Sequence, residues 1–329
     1  MGDPAGFKTE LLEAIRGERA LSEAAFNRLA LESYARQRTH NALYRRYADS
    51  AGAGERLSDW REIPALPVSA FKAGEVAAFD RRRAVKVFKT YVLPAVSSIP
   101  VASLVPSFMD LPDSSLSYMA GRVIERFSGG RAFQVVEDSR FRFESLLTFL
   151  REREEAGERV LCFAASLAWC GFLDFLEEKS VTLRLPAGSR VLETGGFKGR
   201  RTEITRAELL ERTEARTGVG PGFVVNEYGM TELSSQFYDR TLAEKKAGKC
   251  VPSWTRVRLI DPATGADARA GERGLIQILD LANQGSSIAV RTEDEGEPSA
   301  GGFEIVGRRE GADLRGCSLT FEEMERLVR

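Results

Sequence analysis

The chain has 329 residues, which fits about two ordinary domains or one large enzyme-sized domain. Its 47 Lys and Arg residues nearly balance 48 Asp and Glu residues, so neither a nucleic acid nor a membrane is expected as a partner. The single histidine, His40, excludes a zinc site built from several imidazoles and any catalytic histidine other than itself.

The first part of the chain is predicted to be helical over Phe7–Ser50, where apolar residues recur at helical spacing. After the prolines of Ile63–Lys72, apolar runs alternate with amphipathic stretches, which favours an α/β sheet of parallel strands. The predicted strands are Val101–Val105, Ala132–Val136, Arg159–Ala164 and Arg190–Glu193. The predicted helices are Asp113–Phe127, Phe141–Glu155, Ser166–Lys179 and Glu203–Thr217. A capping box of Thr205 and Glu208 indicates that the last helix starts at Ile204 or later.

From about Cys250 onward, short strands separated by turns predict a small antiparallel, barrel-like unit. The predicted strands there are Trp254–Ile260, Gly274–Leu281, Ser286–Arg291 and Phe303–Val306. A final helix is predicted over Ser318–Arg329. The sequence thus divides into an N-terminal helical cap (1–60), an α/β core (61–250), a β-rich subdomain (251–312) and a C-terminal remnant (313–329).

The number and spacing of the cysteines indicate the cellular compartment. The four cysteines are Cys162, Cys170, Cys250 and Cys317. They form no CxxC pair and are too sparse for a disulfide framework, so a reducing cytoplasm is expected. No signal peptide is expected, because Asp3 and Glu10 accompany no apolar core. The apolar run Val160–Leu173 is shorter than the ~20 residues of a spanning helix, so no membrane insertion is expected.

The segment Asn226–Glu232 follows the predicted strand Phe223–Val225 and combines an aromatic ring, a glycine, a hydroxyl and a carboxylate. Such residues can stack on a base, let backbone approach a phosphate and hold a hard cation. On spacing alone, an ordinary strand-to-loop turn is an equally good interpretation. The segment resembles the Tyr-Gly-x-Thr-Glu segment of the adenylate-forming superfamily, whose members join carboxylates to AMP.

Six segments, in the same order, resemble one family of that superfamily, the acyl-protein synthetases. They are Ile63–Lys72, Leu111–Met119, Glu193–Arg200, Glu227–Tyr238, Asp280–Asn283 with Ser286 and Ser287, and Gly307–Leu319. The resemblance implies the large domain of adenylate-forming enzymes, an α/β fold with mixed and parallel sheets and a β-barrel-like unit, in which the C-terminal lid is reduced to a short remnant.

The same resemblance implies a ligase that uses ATP and Mg²⁺ to convert a fatty acid to acyl-AMP. The family then acylates its own cysteine near the C-terminus and passes the acyl group to a cysteine of an acyl reductase. Bacterial luminescence systems use this route to reduce fatty acids to aldehydes. The fatty acid and the reductase are the implied partners, and an acyltransferase is a second candidate partner protein.

The resemblance also implies roles for residues of the Tyr-Gly-x-Thr-Glu segment. Tyr228 would face the adenine, with Gly229 in the same nucleotide-binding set. Thr231 would contact the α-phosphate, and Glu232 would bind the magnesium ion. Thr231 and Glu232 are therefore the expected catalytic residues of the first step.

Four more residues are expected to bind the nucleotide by resemblance. Gly195 and Gly196 would let backbone lie against the adenine. Asp294, in Val290–Asp294, is similar to the ribose-binding aspartate of the superfamily, and a carboxylate can accept two vicinal hydroxyls. Arg308 would contact phosphate or ribose.

Cys317 stands immediately before a capping box and two residues after Arg315. The helix N-terminus and the guanidinium both favour the thiolate. A helix end contributes only ~0.3–1 kcal/mol, less than one pKa unit for a thiol, so other charge or the substrate must assist. With the resemblance added, Cys317 is the predicted acyl acceptor, whereas Cys162 and Cys170 are predicted to be buried.

One expected segment is missing. Adenylate-forming enzymes wrap the ATP phosphates in a Ser/Thr/Gly-rich loop followed by a helix. Here Val87–Thr90, which resembles the lead-in, runs straight into Tyr91–Pro94. Either the protein lacks the loop or an internal segment is missing from the sequence. Without the loop, the rate of acyl-AMP formation is expected to fall severely.

Two alternative functions stay open. A relative of acyl- or aryl-CoA ligases would turn over free CoA without Cys317. Because only 313–329 follows the hinge-like Gly307-Arg308 pair, self-acylation fits better than release to CoA. A non-catalytic scaffold subunit of an acyl reductase complex is the second alternative, and the missing phosphate loop motivates it. The sequence leaves the acyl chain length and the oligomeric state open.

Overall fold

A computed structural model describes residues 4–73, 85–112, 114–137, 140–196 and 204–309. Within these residues the chain forms nine α-helices: α1 (Pro4–Arg16), α2 (Glu23–His40), α3 (Ala42–Ser50), α4 (Val85–Tyr91), α5 (Ser115–Phe127), α6 (Phe143–Glu155), α7 (Ser166–Glu178), α8 (Arg206–Thr217) and α9 (Thr241–Glu244). None of the helices in these ranges is both long enough and apolar enough to cross a membrane.

The strands of the described residues are β1 (Leu66–Pro67), β2 (Val101–Ser103), β3 (Ala132–Gln134), β4 (Val136–Glu137), β5 (Arg140–Phe141), β6 (Leu161–Ala165), β7 (Arg190–Thr194), β8 (Val224–Tyr228), β9 (Phe237–Tyr238), β10 (Thr255–Ile260), β11 (Gly274–Asp280), β12 (Ala289–Ser299) and β13 (Gly302–Arg308). They form a five-stranded sheet, a six-stranded sheet and the small hairpin of β4 and β5.

The chain divides into two compact units that are both discontinuous in sequence. The first unit comprises Met1–Lys86, Thr231–Phe237 and Gly248–Ala312. Among the described residues, the second unit lies within Val87–Met230 and Tyr238–Ala247. The four-part division made from the sequence is a different partition, because it separates residues 1–60 from residues 251–312, and it stays a prediction.

The second unit is built on the six-stranded sheet, in the order β3-β2-β6-β7-β8-β9. The pairs β2–β3, β2–β6, β6–β7 and β7–β8 are all parallel. Every residue of β6 and β7 is buried, as expected for central strands covered on both faces. The predicted α/β fold with parallel strands is confirmed.

Helix α7 carries much of the apolar core of this unit. Trp169, Phe172 and Leu173 are fully buried against the sheet and the neighbouring helices. Trp169 Nε1 donates to Thr213 Oγ1 of α8 at 2.9 Å, which satisfies the one polar atom of the buried indole. The apolar run that includes Val160–Leu173 is therefore core, as predicted.

The first unit is built on the five-stranded sheet. Strands β10, β11, β12 and β13 pair antiparallel in chain order, and β1 adds in parallel to β12. The antiparallel arrangement predicted for this part of the chain is confirmed. The strand predicted over Ser286–Arg291 is displaced, however, because β12 starts at Ala289 and continues to Ser299.

The helical structure predicted over Phe7–Ser50 is confirmed, but it is divided into the three helices α1 to α3, with breaks at residues 17–22 and at Asn41. Ser22 Oγ caps α2 by accepting from the N–H of Ala25 at 3.2 Å, and Asn41 caps α3. Gln37 Nε2 donates to the carbonyl of Ser286 at 2.6 Å, so α2 is fastened to the turn that precedes β12.

Candidate active site

The carboxyl ends of β6, β7 and β8 form one edge of the sheet in the second unit. The three strands are parallel, with Thr194 opposite Glu227 at the ends of β7 and β8. Loops after the carboxyl ends of parallel strands are the usual place for ligands in such sheets. Four residues expected to bind nucleotide lie at this edge: Gly195, Gly196, Tyr228 and Gly229.

The two glycines after β7 serve different purposes. Gly195 has a φ of 90°, a left-handed conformation that glycine adopts at little cost. Gly196 is exposed, and a Cβ built on it would meet no atom of the described residues within 4 Å. Among these residues nothing covers the backbone of Gly196, so a flat group such as a nucleotide base can approach it.

A buried carboxylate lies directly behind this edge. Glu193 is fully buried, and Arg206 forms an ion pair with its Oε1 atom. Asn226 Nδ2 donates to the same oxygen at 2.8 Å, and Ser166 Oγ donates to Oε2. Hydrogen bonds to a charged acceptor are stronger than neutral ones. This carboxylate therefore joins β7 and β8 to the first residues of α7 and α8.

Arg206 extends the same network to the chain that follows β9. Its NH2 atom lies 3.1 Å from Asp239 Oδ2, and that oxygen also accepts from the backbone N–H of Asn226 at 2.8 Å. Thr194 Oγ1 donates to the Glu227 carboxylate at the strand ends. We refer to the residues connected through the Glu193 carboxylate and Arg206 as the Glu193 network: Ser166, Glu193, Arg206, Asn226 and Asp239. The network fixes the register of the strand ends that carry Gly195 and Tyr228.

Thr231 and Glu232 belong to the first unit, since the chain passes from one unit to the other between Met230 and Thr231. Thr231 is exposed and Glu232 is half-buried. In the part of the chain that the structure describes, no three His, Cys, Asp or Glu side chains are grouped to hold a metal. Mg²⁺ is commonly held by one or two carboxylates together with substrate phosphates, rather than by a cage of protein ligands alone.

Asp294 and Arg308 face each other on neighbouring strands of the first unit. They are cross-strand partners on β12 and β13, and Arg308 Nε lies 3.3 Å from Asp294 Oδ1. Their side chains are 17% and 23% exposed, so both retain some contact with solvent. A carboxylate acceptor and a guanidinium donor thus stand side by side at the two positions that the resemblance assigns to nucleotide binding.

The described thiols are all buried. Cys162 and Cys170 are fully buried, as predicted, and Cys250 is 2% exposed. Burial raises the pKa of Cys162 to about 12, so this thiol stays neutral and unreactive at ordinary pH. Cys317, the predicted acyl acceptor, lies outside the described residues.

A cavity of about 250 Å³ opens in the first unit beside β12. Arg291, Glu293 and Arg309 line it, whereas Asp294 and Arg308 do not. Its lining contains as many basic as acidic charges among Asp261, Glu293, Arg291 and Arg309. The cavity therefore does not bring the residues expected to bind nucleotide together.

Comparison with known proteins gives a family match and a fold match. The family model described as acyl-protein synthetase, LuxE, matches residues 74–325. A long-chain-fatty-acid–luciferin-component ligase from Vibrio harveyi is 22% identical over 334 residues, which cover 90% of this chain and 87% of the relative.

Among solved structures, an open conformation of 2-hydroxyisobutyryl-CoA ligase in complex with 2-HIB-AMP and CoA superposes with a TM-score of 0.57 at 13% identity. The match covers 90% of this chain and 78% of that chain. The same ligase in its postadenylation state gives a TM-score of 0.55 at 15% identity, covering 88% and 69% of the two chains. The fold is therefore that of the adenylate-forming ligases, as expected.

Proposed function

This chain belongs to the acyl-protein synthetase family, LuxE, and on that premise we propose that it activates a fatty acid with ATP and transfers the acyl group to its own Cys317. From Cys317 the acyl group passes to a cysteine of an acyl reductase. Family membership makes the chain a ligase, and the name of the Vibrio harveyi relative supports a long-chain fatty acid as substrate. The observation that carries the proposal is the match over residues 74–325, which spans every residue assigned a role here.

In this proposal each part of the nucleotide has its own set of residues. Tyr228 and the backbone of Gly195 and Gly196 bind the adenine. Asp294 accepts hydrogen bonds from the ribose hydroxyls, and its partner Arg308 donates to ribose or phosphate oxygen. The side-by-side placement of Asp294 and Arg308 supports these roles, because one ligand can contact both.

Glu232 is the carboxylate proposed to hold Mg²⁺ together with the phosphates of ATP. The absence of a three-ligand metal group in the described residues fits this arrangement, in which the substrate supplies the other ligands. When bound, the ion neutralises charge that develops on the phosphates. Thr231, next to it in the chain, donates its hydroxyl to an α-phosphate oxygen.

The proposed chemistry has two transfers. A carboxylate oxygen of the fatty acid forms a bond to the α-phosphorus of ATP as pyrophosphate leaves. The Cys317 sulfur, as thiolate, then forms a bond to the acyl carbon as AMP leaves, which gives a thioester. The burial of the other three cysteines supports Cys317 as the acceptor, because buried thiols are inert.

The region where a phosphate-binding loop is expected supports a second candidate function. Val87–Thr90 lies within α4, and residues 92–100 join this helix directly to β2. The described residues 85–112 therefore contain no long Ser/Thr/Gly-rich loop that could wrap the phosphates. A non-catalytic scaffold subunit of an acyl reductase complex would need no such loop.

Intact-protein mass spectrometry tests the proposal. The wild type, Cys317→Ser and the matched control Cys250→Ala are incubated with ATP, Mg²⁺ and a series of medium- to long-chain fatty acids. An ATP-dependent acyl adduct is expected on the wild type and on Cys250→Ala but not on Cys317→Ser. Hydroxylamine is expected to remove the adduct, because it cleaves thioesters.

Other outcomes select the alternatives. Formation of soluble acyl-CoA by Cys317→Ser on addition of CoA would identify a CoA ligase. No adduct and no ATP–pyrophosphate exchange by an intact wild type of 36.3 kDa would favour the scaffold subunit. A heavier mass would reveal an internal segment beyond the 329 residues.

A further inference from the structure

Two buried side chains of the first unit hold the chain just after Thr231 and Glu232. They are Asp280, the last residue of β11, and Asn283 in the turn that follows, and both are at most 1% exposed. The residues they hold, 232–235, form neither helix nor strand. Backbone groups in such a segment need side-chain partners, because no helix or ladder supplies them.

Asp280 accepts hydrogen bonds both from this segment and from the turn that follows β11. Its Oδ2 accepts from the backbone N–H of Ser234 at 3.0 Å, and its Oδ1 accepts from Ser235 Oγ at 2.8 Å and from the N–H of Ala282 at 2.9 Å. Trp254 Nε1 donates to Ser235 Oγ at 2.9 Å, so the hydroxyl proton is directed at Asp280. Burial raises the pKa of Asp280, while the donors act in the opposite direction.

Asn283 holds the same segment by its amide group. Its Nδ2 atom donates to the carbonyl of Glu232 at 2.6 Å and to the carbonyl of Ser287 at 2.8 Å. Its Oδ1 atom accepts from Ser234 Oγ at 3.2 Å. Both amide protons are therefore used, and one of them fixes the residue that carries the proposed metal-binding carboxylate.

We propose that Asp280 and Asn283 are positioning residues for Mg·ATP, acting by fixing the backbone of residues 232–235 and thereby the placement of the Thr231 hydroxyl and the Glu232 carboxylate. The inference rests on the proposed function for the roles of Thr231 and Glu232. Mg²⁺ demands near-ideal geometry with oxygen ligands at about 2.0–2.1 Å. A small displacement of Glu232 therefore weakens the binding of Mg·ATP, while the fatty acid is unaffected.

The test compares three variants. Asn283→Ala removes both amide donors, and Ser234→Ala removes only the hydroxyl that donates to Asn283. Ser287→Ala is the matched control, because it deletes a buried hydroxyl whose hydrogen bond goes to the carbonyl of Ala289 at 2.9 Å instead. Far-UV circular dichroism and thermal unfolding test whether each variant is folded. If Asn283→Ala does not fold, the comparison is made with Ser234→Ala.

Two readouts are taken on the full chain. Hydrogen exchange of the peptide that contains residues 231–237 is expected to be about tenfold faster in Asn283→Ala and faster to a smaller extent in Ser234→Ala. The reason is that each lost buried hydrogen bond lowers the free energy of local opening. ATP–pyrophosphate exchange is expected to show a KM for Mg·ATP raised about tenfold in Asn283→Ala and less in Ser234→Ala, with the KM for fatty acid unchanged. Ser287→Ala is expected to match the wild type in both readouts.

Three results would overturn the proposal. The first is unchanged hydrogen exchange in the Asn283 and Ser234 variants. The second is faster hydrogen exchange with an unchanged KM for Mg·ATP, which is the pattern of a purely structural role. The third is an equal effect in Ser287→Ala. Absence of pyrophosphate exchange in the wild type would instead overturn the proposed function, and hydrogen exchange, which needs no turnover, still decides whether Asn283 holds the segment.

Discussion

Arg206 pairs with two carboxylates through one guanidinium, and one of the two carboxylates is fully buried. Glu193 has no exposed surface, while Asp239 is 15% exposed. Removing the counter-ion of a buried carboxylate is costly, because the charge can be neither hydrated nor paired. The position of Arg206 at the first residue of α8 therefore contributes to stability as well as to the register of β7 and β8.

Replacement of Arg206 by Met tests this account. We expect Arg206→Met to lower the free energy of unfolding by about 2–3 kcal/mol, at the low end for a buried pair because Arg206 is 36% exposed. Urea-induced unfolding measures the change. The double variant Glu193→Gln/Arg206→Met is expected to be more stable than Arg206→Met alone, because the amide needs no counter-charge. A double variant of equal or lower stability would contradict the ion-pair explanation.

The pairing of Asp294 with Arg308 shows which features of the candidate site could be predicted from the sequence and which could not. Both residues were identified by resemblance, each on its own. The strands predicted from periodicity ended at Arg291 and Val306, before either residue. The run Glu293–Glu297 is charged and does not alternate, so hydrophobic periodicity could not show that β12 continues or which residue of β13 lies opposite.

Helix α8 begins where its capping residue predicts. Thr205 Oγ1 accepts from the backbone N–H of Glu208 at 3.1 Å, and Gly218 closes the helix with a φ of 74°. The expected start at Ile204 or later is confirmed, since the helix begins at Arg206. A cap is a local signal that depends on neighbouring residues alone, which is why the sequence could locate it.

Substitution of Thr205 tests how much this cap contributes to the stability of α8. Thr205→Ala is expected to cost about 1 kcal/mol, because it leaves the N–H of Glu208 without its acceptor. Thr205→Ser keeps an oxygen in the same place and is expected to stay close to the wild type. Urea titration of the three proteins measures both values, and equal stability of the Ala and Ser variants would show that the cap contributes nothing.

The N-terminal helices show where periodicity misleads. Apolar residues continue at helical spacing from Phe7 to Ser50, yet the chain breaks before Ser22 and at Asn41. Neither residue has the Glu or Gln three positions later that completes a capping box, so the break was not evident. Near the end of α2, Gln37 donates a hydrogen bond to the carbonyl of Ser286, which lies far away in sequence, and hydrophobic periodicity cannot show such a contact.

At the scale of the whole molecule, residues from the N-terminal helices form part of the core of the first unit. Phe26, Leu29 and Ala30 are fully buried, and Tyr34 is 1% exposed. Removing these helices would expose a large apolar surface on the remainder of the unit. This packing bears directly on whether residues 1–60 are a separable cap.

The fragment 61–329 is therefore expected to be insoluble or rapidly proteolysed, and co-expression with residues 1–60 is expected to restore a compact protein. Size-exclusion chromatography and limited proteolysis measure the outcome. A monomeric, protease-resistant fragment would contradict this expectation and would support the separate helical cap predicted from the sequence.

The short strand β1 has a consequence for how the protein is made. Leu66 and Pro67 pair in parallel with Val290 and Arg291, so the partner strand leaves the ribosome more than two hundred residues later. At bacterial-type synthesis rates of roughly 5–20 residues per second, the wait is on the order of ten seconds or more. Residues 87–230 of the second unit are contiguous and can fold in the meantime. The N-terminal helices therefore spend this interval on the nascent chain without the later strands of the first unit, and chaperones that shield their apolar faces are expected to raise the yield of folded protein.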